Sequence, residues 1–180
     1  MPRKELERLQ AVDRFLKLKI SREDELQELV NCAAEICETP IAMITLIDAD
    51  TQHIRYRFGI DLVKTARADA FCNYTIQNEG IFIVPDTGKD QRFVDHPYRT
   101  GASNIQFYAG ASLTTVDGIN LGSLCVVDHQ PKELSAVQQS MLGILSKQVV
   151  HILEFDYSLE VLKSQFLEAK ANEIKLGVQM

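Results

Sequence analysis

The stretch FYAGASLTTVDGINLGSLCVVDH, residues 107–129, constrains the fold of this chain more than any other. Two runs rich in apolar residues flank Asp117-Gly118, and glycine accepts the positive φ that a tight hairpin turn requires. The stretch therefore predicts two antiparallel strands, the second ending near Asp128 because Pro131 cannot continue it. Alternation assigns the residues before the turn to two faces, one with Ile105, Phe107, Ala109, Ala111 and Leu113, the other with Gln106, Tyr108, Gly110, Ser112 and Thr114.

A second hairpin is predicted upstream. Residues 41–48 (IAMITLID) are apolar at odd and even positions alike, which is typical of a strand covered on both faces. The turn residues DADT follow, and residues 52–58 (QHIRYRF) then alternate. That alternation predicts an exposed partner strand with Ile54, Tyr56 and Phe58 on its inner face.

Helical periodicity marks the N-terminal segment. Residues 3–20 carry apolar side chains close to a 3.6-residue period, at Leu6, Leu9, Val12, Leu16 and Ile20. Ser21 is predicted to cap a second helix, which runs to about Cys37 and ends before Pro40.

From Leu134 the pattern is helical and unusually long. Eight positions at heptad spacing, here called the C-terminal seam, are Ile152, Phe155, Leu159, Leu162, Phe166, Ala169, Glu173 and Leu176. Only Glu173 is not apolar, and such a pattern favours a coiled coil. We predict a homodimer whose interface includes Ile152, Phe155, Leu159, Leu162 and Phe166. The alternative is a helix that packs along its own domain. A domain of this size is too small to cover residues 157–176 as well.

The long connection between the hairpins, residues 59–104, is predicted to be ordered. It contains a short helix around 69–76, a short strand at 81–84 and a polar stretch at 85–104. Loops longer than about 12–15 residues are uncommon inside compact domains and tend to be functional or disordered. Phe93, Pro97 and Tyr98 within the polar stretch favour an ordered loop packed onto another part of the chain.

Composition narrows the class of protein. The 180 residues suffice for one domain with appendages, and a net charge of −6 offers no basic surface for nucleic acid. The apolar runs are far shorter than the roughly 18 residues that a membrane span needs, and no signal-peptide pattern is present. Four cysteines at irregular spacing suit a reducing compartment. We therefore expect a cytoplasmic protein without a membrane span.

Five blocks of sequence occur in an order and spacing that a known family shares: PIAMITLIDAD, FCNYTI, VPDTGKDQRFVDHP, the hairpin of residues 105–129, and LSAVQQSMLGILSKQVV. Together they resemble a GAF domain, of the class found in bacterial signalling proteins ahead of histidine kinase or diguanylate cyclase modules. The resemblance implies an α+β fold with an antiparallel sheet of five or six strands. Terminal helices would pack on one face, and the crossover with its short helix would close a pocket over the other. The chain then divides into an N-terminal helix (1–20), a GAF domain (21–150) and a C-terminal signalling or dimerisation helix (151–180).

The candidate ligand-binding residues lie on the crossover and on the sheet face beneath it. They are Phe71, Cys72, Tyr74, Asp86, Asp90, Phe93, Tyr108 and Ser112. Pockets are mostly apolar with a few orienting polar groups, which this set provides. The alternative is that the crossover fills this face with its own side chains.

Several of these residues have a plainer interpretation. Cys72 is a candidate for redox sensing, but no basic residue is adjacent to lower its pKa, and a small buried side chain is the simpler role. The aspartates suit Mg²⁺ or Ca²⁺, yet such residues more often cap turns, with Arg92 available to pair with Asp86. Gly110, Ala111, Gly122 and Ser123 are interpreted as close-packing positions and Cys125 as core.

No cofactor or metal is required by the sequence. GAF domains that carry a bilin commonly attach it at a cysteine followed by histidine, whereas Asn73 and Val126 follow Cys72 and Cys125 here. The histidines and cysteines show no metal-ligand spacing.

We therefore expect a sensor module in bacterial signal transduction, such as a two-component system. It would bind a small ligand or a partner and act through its terminal helices, without being an enzyme itself. The alternatives are an enzyme similar to free methionine sulfoxide reductase, and a dimerisation scaffold that binds no ligand.

Overall fold

The computed structural model describes residues 3–178. Five α-helices are present in this range: α1 (Arg3–Lys17), α2 (Glu23–Cys37), α3 (Cys72–Thr75), α4 (Pro97–Thr100) and α5 (Ala136–Val178). Six strands accompany them: β1 (Ile41–Ile47), β2 (Thr51–Phe58), β3 (Lys64–Ala66), β4 (Ile81–Val84), β5 (Phe107–Thr114) and β6 (Asn120–Asp128). Short 3₁₀ turns occupy Arg67–Asp69 and Thr87–Lys89. Residues 1–2 and 179–180 of the predicted N- and C-terminal segments lie outside the described residues.

The strands form one antiparallel sheet in the order β3-β2-β1-β6-β5-β4. This arrangement confirms the predicted α+β fold. Because β1 and β6 lie at the centre, their residues are buried on both faces. The uninterrupted apolar run in residues 41–47 reflects that position.

Each face of the sheet has its own apolar core. The helix-side core combines α1, α2 and the first half of α5 with alternate strand residues such as Ile44, Phe107 and Leu124. The crossover-side core combines the opposite residues of the same strands with Phe71, Phe93 and other side chains of the crossover. The candidate site lies on this second face.

The central hairpin has the predicted form. β5 pairs with β6 in a register that joins Phe107 to Asp128, and the turn places Gly118 at φ 79°. The predicted alternation holds from Phe107 to Leu113. Ile105 precedes the strand and packs into the crossover-side core, so its predicted face was wrong.

A β-bulge changes the predicted faces of β2. Ile44 pairs with Tyr56 but Thr45 pairs with Ile54, so Arg55 is the extra residue. As a result Ile54 belongs to the crossover-side core and Tyr56 to the helix-side core. Phe58 is 43% exposed, and the prediction of one shared inner face was therefore wrong.

The N-terminal helix ends at Lys17 and is rotated from the predicted orientation. Its buried residues are Arg8, Ala11, Val12 and Phe15, whereas Leu6 is half exposed. A buried hydrogen bond of 2.6 Å from Arg8 Nη1 to the carbonyl of Ile47 fixes this orientation. Charged residues on a helix face are normally read as exposed, which explains the error.

Ser21 does not cap α2, which begins after Arg22 without a side-chain cap. Its backbone N–H and hydroxyl instead donate to the Asp156 carboxylate of α5, at 2.9 and 2.6 Å. The turn between α1 and α2 is thereby tied to the C-terminal helix. At the other end, α2 stops at Glu38, which adopts the left-handed conformation before Pro40.

α5 continues without a break across residue 150 and has two different halves. Buried positions extend only as far as Asp156, and residues 160–178 are exposed. Ile152 of the predicted interface is only 8% exposed and belongs to the core of its own domain. Leu159 is half-buried, while Phe155, Leu162 and Phe166 are exposed. Among the described residues, no helix is long and apolar enough to span a membrane.

Candidate functional site

A small cavity lies between the crossover and the sheet. Its volume is about 40 Å³, which admits a few water-sized molecules. The sheet contributes Met43, Gln52, Ile54, Thr65, Tyr108 and Val127. The crossover contributes Ile60, Leu62, Ala70, Phe71, Cys72, Tyr98 and Ser103, and Ile105 follows it. The wall is therefore mostly apolar, with few polar groups.

The side chain of Gln52 places a polar carboxamide in this mostly apolar wall. The side chain is 5% exposed, and its Nε2 donates to Thr65 Oγ1 at 2.9 Å. Its Oε1 is buried and has no hydrogen-bond partner among residues 3–178. Buried polar groups normally have partners, so this carboxamide offers a bonding position to a molecule in the cavity.

Three of the eight predicted ligand-binding residues line the cavity, namely Phe71, Cys72 and Tyr108. Tyr74 and Phe93 lie beside it in an aromatic cluster. Phe93 is fully buried, stacks on Phe71 at 4.6 Å and meets Tyr74 edge-on at 5.0 Å. Much of this sheet face is therefore filled by the crossover's own aromatic side chains.

Asp86 and Asp90 lie outside the cavity and organise the crossover backbone. Asp86 accepts from Gly88 N and Asp90 accepts from Arg92 N, both at 3.0 Å. The Arg92 guanidinium forms two further bonds to Asp90, so the expected pairing of Arg92 with Asp86 was wrong. These bonds lower the pKa of Asp90. The paired guanidinium also lies 5.1–5.7 Å from three rings of the aromatic cluster.

Ser112 is not part of the cavity. It lies near the far end of β5, beside a groove that also includes Gly143 and Ser146 of α5. Its pairing with Ser123 immediately precedes a register irregularity in the β5–β6 ladder. Its hydroxyl oxygen is buried and makes no hydrogen bond within the described part of the chain.

The Cys72 sulfur is buried between α3 and the sheet, and polar side chains surround it. The set, here called the Cys72 network, consists of Thr45, Cys72, Thr75, Tyr108, Ser123 and Cys125, all at most 1% exposed. Tyr108 Oη donates to Cys72 Sγ at 3.2 Å and Ser123 Oγ donates at 3.0 Å. Cys125 Sγ lies 3.7 Å from Cys72 Sγ.

The outer members of the network direct these donors at the sulfur. Thr75 Oγ1 is 2.6 Å from Tyr108 Oη, and a hydroxyl has one proton. Because Tyr108 uses its proton on Cys72, Thr75 donates to Tyr108. By the same argument Thr45 Oγ1, which is 3.5 Å from Ser123 Oγ, is the donor to Ser123. The hydroxyl protons thus converge on Cys72.

This arrangement makes Cys72 the first thiol of the network to ionise. Burial raises the pKa of Cys72, but hydrogen bonds with Cys125, Ser123 and Tyr108 outweigh it and bring the pKa to about 7. The contact with Cys72, together with burial, raises the pKa of Cys125 well above its usual value. Burial and the neighbouring sulfurs likewise raise the pKa of Tyr108.

Sequence reasoning missed Gln52, Ser123 and Cys125 as parts of this site. Ser123 and Cys125 were interpreted as packing residues because nothing in the sequence brings β6 against residues 72–75. The available signal was their alternation in β6, which places both on the face opposite Leu124. For Gln52, the signal was a large polar residue at the start of a strand whose inner positions are apolar.

A second polar group connects the crossover with α1. Glu5 accepts from Arg8 and, at 2.6 Å, from Arg67 Nη1. Arg67 also donates to Asn73 Oδ1 at 2.9 Å, and Asn73 adjoins Cys72. The start of α3 is thereby linked to the N-terminal helix.

Among residues 3–178, no group of three or more His, Cys, Asp or Glu side chains is arranged to hold a metal ion. His96 caps α4 by accepting at Nδ1 from Tyr98 N at 3.1 Å. Burial lowers its pKa, so the ring that caps α4 is the neutral form.

The family model described as "GAF domain" matches residues 21–153. The chain belongs to the GAF domain family. A cyclic di-GMP phosphodiesterase of Pseudomonas aeruginosa is 41% identical over 131 residues, or 73% of this chain. The match covers 22% of that relative, so this chain spans only a fraction of its length.

Several solved structures share the fold. The GAF domain of an Acinetobacter phosphoenolpyruvate-protein phosphotransferase is 20% identical, with a TM-score of 0.64 over 88% of this chain and 97% of the other. A domain of a putative two-component sensor histidine kinase from Sinorhizobium meliloti gives 0.59 at 13% identity, covering 83% and 98%. The free methionine-R-sulfoxide reductase of Thermoplasma acidophilum gives 0.59 at 11%, covering 72% and 90%.

Proposed function

We propose that this chain is the sensor module of a bacterial signal-transduction protein and acts through a homodimer formed by α5. A molecule entering the cavity would displace the crossover. The Arg67 and Asp156 contacts would then transmit this movement to α1 and α5. Such a module is regulatory rather than catalytic, and we place it in the cytoplasm.

The observation that carries this proposal is the division of α5. Its first half packs on the sheet, whereas Leu162 and Phe166 in the second half are 60% and 66% exposed. An exposed apolar stripe of several turns marks a surface for another protein. Because the C-terminal seam repeats at heptad spacing, a second copy of the same helix is the matching partner.

The likeness to part of a cyclic di-GMP phosphodiesterase supports a module that controls an output activity. We propose that rearrangement of the paired α5 helices switches this output activity on or off. A ligand can shift that equilibrium only by binding one arrangement more tightly than the other.

Dimerisation is tested by comparing two substitutions of equal chemistry on α5. Leu162 lies in the C-terminal seam, whereas Leu167 is similarly exposed, at 65%, but lies outside it. We expect Leu162→Glu to give a monomer by light scattering and Leu167→Glu to retain the dimer. A wild-type chain that is monomeric at high micromolar concentration would overturn this part of the proposal.

The ligand is tested by native mass spectrometry of freshly purified chain. A retained small molecule supports the sensor, and we expect Gln52→Met to reduce its occupancy. The cavity accepts only a few water-sized molecules while the crossover is closed, so binding of a larger one requires the crossover to open. A dimer that never retains a ligand supports the scaffold alternative.

The reductase alternative is favoured by one observation, the pairing of Cys72 with a second thiol. Reduction of free methionine sulfoxide at the expense of a dithiol, abolished by Cys72→Ser, would replace the sensor proposal. If the folded chain does not reduce free methionine sulfoxide, the result supports the regulatory proposal over the reductase alternative.

A further inference from the structure

The two central thiols of the Cys72 network are placed for a covalent reaction with each other. Cys72 begins α3 and Cys125 lies in the middle of β6, 53 residues later in the chain. Their sulfurs are 3.7 Å apart, and both side chains are buried. Of the two, only Cys72 lines the cavity, so a small molecule inside it meets Cys72 first.

The surroundings of the two sulfurs give them different roles. The hydroxyls of Tyr108 and Ser123 both donate to Cys72 Sγ and favour its thiolate, which is the reactive form of cysteine. The contact with Cys72 and burial raise the pKa of Cys125 and so favour its protonated thiol. A nucleophilic thiol at the cavity with a second thiol behind it is the arrangement of a reactive and a resolving cysteine.

We propose that a small hydroperoxide entering the cavity oxidises Cys72 and that Cys125 resolves the product into a Cys72–Cys125 disulfide. The proposal concerns the thiols alone and does not depend on whether the cavity binds another ligand or α5 forms a dimer.

The reaction balances in two steps. The Cys72 thiolate attacks one oxygen of the hydroperoxide, an S–O bond forms, the O–O bond breaks, and the leaving oxygen takes a proton to give water or an alcohol. The sulfur is oxidised by two electrons to a sulfenic acid. Cys125 then loses its proton and attacks this sulfur, the S–S bond forms, the S–O bond breaks, and hydroxide leaves as water with that proton.

The disulfide would change the structure around α3. The sulfurs must approach from 3.7 Å to about 2.05 Å. Cys72 can then no longer accept the hydrogen bonds of Tyr108 and Ser123 as a thiolate. Asn73, the next residue, is bonded to Arg67, which in turn holds Glu5 of α1. Oxidation is therefore expected to disturb the link between the crossover and the N-terminal helix.

The other two cysteines serve as internal controls. Cys32 is half-buried and Cys37 is buried, both on α2 in the helix-side core. Burial raises the pKa of Cys37 to about 11, which disfavours its thiolate. Neither residue lines the cavity.

The test treats the full chain with hydrogen peroxide, alkylates the remaining thiols after unfolding, and locates the products by peptide mass spectrometry. We expect a loss of two hydrogens, a cross-linked pair of peptides containing Cys72 and Cys125, and alkylated Cys32 and Cys37. Dithiothreitol should reverse the change. Hydrogen exchange should show altered protection in residues 67–76 of the oxidised chain.

Two variants test the assigned roles. Cys125→Ala should stop at a Cys72 sulfenic acid that dimedone traps. Ser123→Ala keeps both thiols but removes one donor, and should slow cross-linking several-fold without changing its site. If Cys72 and Cys125 both remain alkylatable at peroxide concentrations that oxidise Cys32, or if the cross-link forms elsewhere, the proposal is wrong. The wild-type result decides this even if Cys125→Ala fails to fold.

Discussion

The position of Tyr108 depends on the absence of a side chain two residues later in β5. A Cβ at Gly110 would lie 2.3 Å from Tyr108 Oη and 2.8 Å from Thr75 Oγ1. Both atoms belong to the Cys72 network and have no free space to move into, since Tyr108 and Thr75 are buried. Gly110 therefore allows the tyrosine hydroxyl to reach Thr75 and Cys72.

We expect Gly110→Ala to lower the free energy of unfolding by about 1–3 kcal/mol, because the added methyl group overpacks this site. Urea unfolding followed by circular dichroism measures the change. Gly143→Ala is the matched control, since the same substitution there meets nothing within 4 Å. Gly143 lies inside α5, where alanine is favoured by up to about 1 kcal/mol. Equal effects of the two substitutions would contradict the structural assignment.

Residue patterns in the sequence identify some residues of the candidate site but not the contacts between them. Phe71, Cys72 and Tyr108 are recognisable from the sequence because they stand in segments whose order matches a known family. The partnership of Cys72 with Cys125 is not, because it depends on how a crossover helix rests on a strand far away in sequence. Aspartates such as Asp86 satisfy local backbone groups in many loops, so their presence says little about a ligand.

Sequence periodicity predicts the elements better than it predicts their orientation. The central hairpin and the double burial of β1 follow from local patterns alone. The faces of β2 do not, because one extra residue at Arg55 reverses the alternation. The orientation of α1 also escapes prediction, because it depends on the buried Arg8 and its bond to Ile47.

The contact of α1 with the crossover predicts a pH dependence of stability. Hydrogen bonds from Arg8 and Arg67 hold the pKa of Glu5 at about 2, against an ordinary value of 4.5, although burial opposes the shift. A carboxylate whose pKa is lowered on folding stabilises the fold above its unfolded pKa, and this stabilisation is lost as the pH falls toward the folded pKa. Solvent screening at this partly exposed site reduces the effect to about 1 kcal/mol.

We therefore expect wild type to be more stable than Glu5→Gln at pH 7, with the difference shrinking as the pH falls from about 4.5 to about 2. Denaturant unfolding across this range measures it. Glu7→Gln is the control, since Glu7 forms an ion pair with the exposed Arg3 and its substitution should have little effect. A difference between wild type and Glu5→Gln that does not vary with pH would show that the charge of Glu5 is not responsible.

At the scale of the whole molecule, α5 joins the packed domain to an exposed helical extension. Residues 136–156 are held by the sheet and α2, and Asp156 by Ser21. Beyond Leu159, every residue of the helix that the structure describes is exposed. Since helices in proteins gain most of their stability from packing of an apolar face, a partner that covers the C-terminal seam would stabilise this segment.

This division predicts that α5 exchanges its amide hydrogens as two units. We expect residues 136–156 to be protected at every chain concentration, because their burial is intramolecular. Protection of residues 159–176 should rise with concentration as dimers form, and hydrogen exchange with mass spectrometry resolves the two segments. Leu162→Glu should remove the protection of the second segment and leave the first intact, whereas Leu167→Glu should preserve both. Protection of residues 159–176 that is independent of concentration and unaffected by Leu162→Glu would mean that the helix is stable alone and that the seam is not a dimer interface.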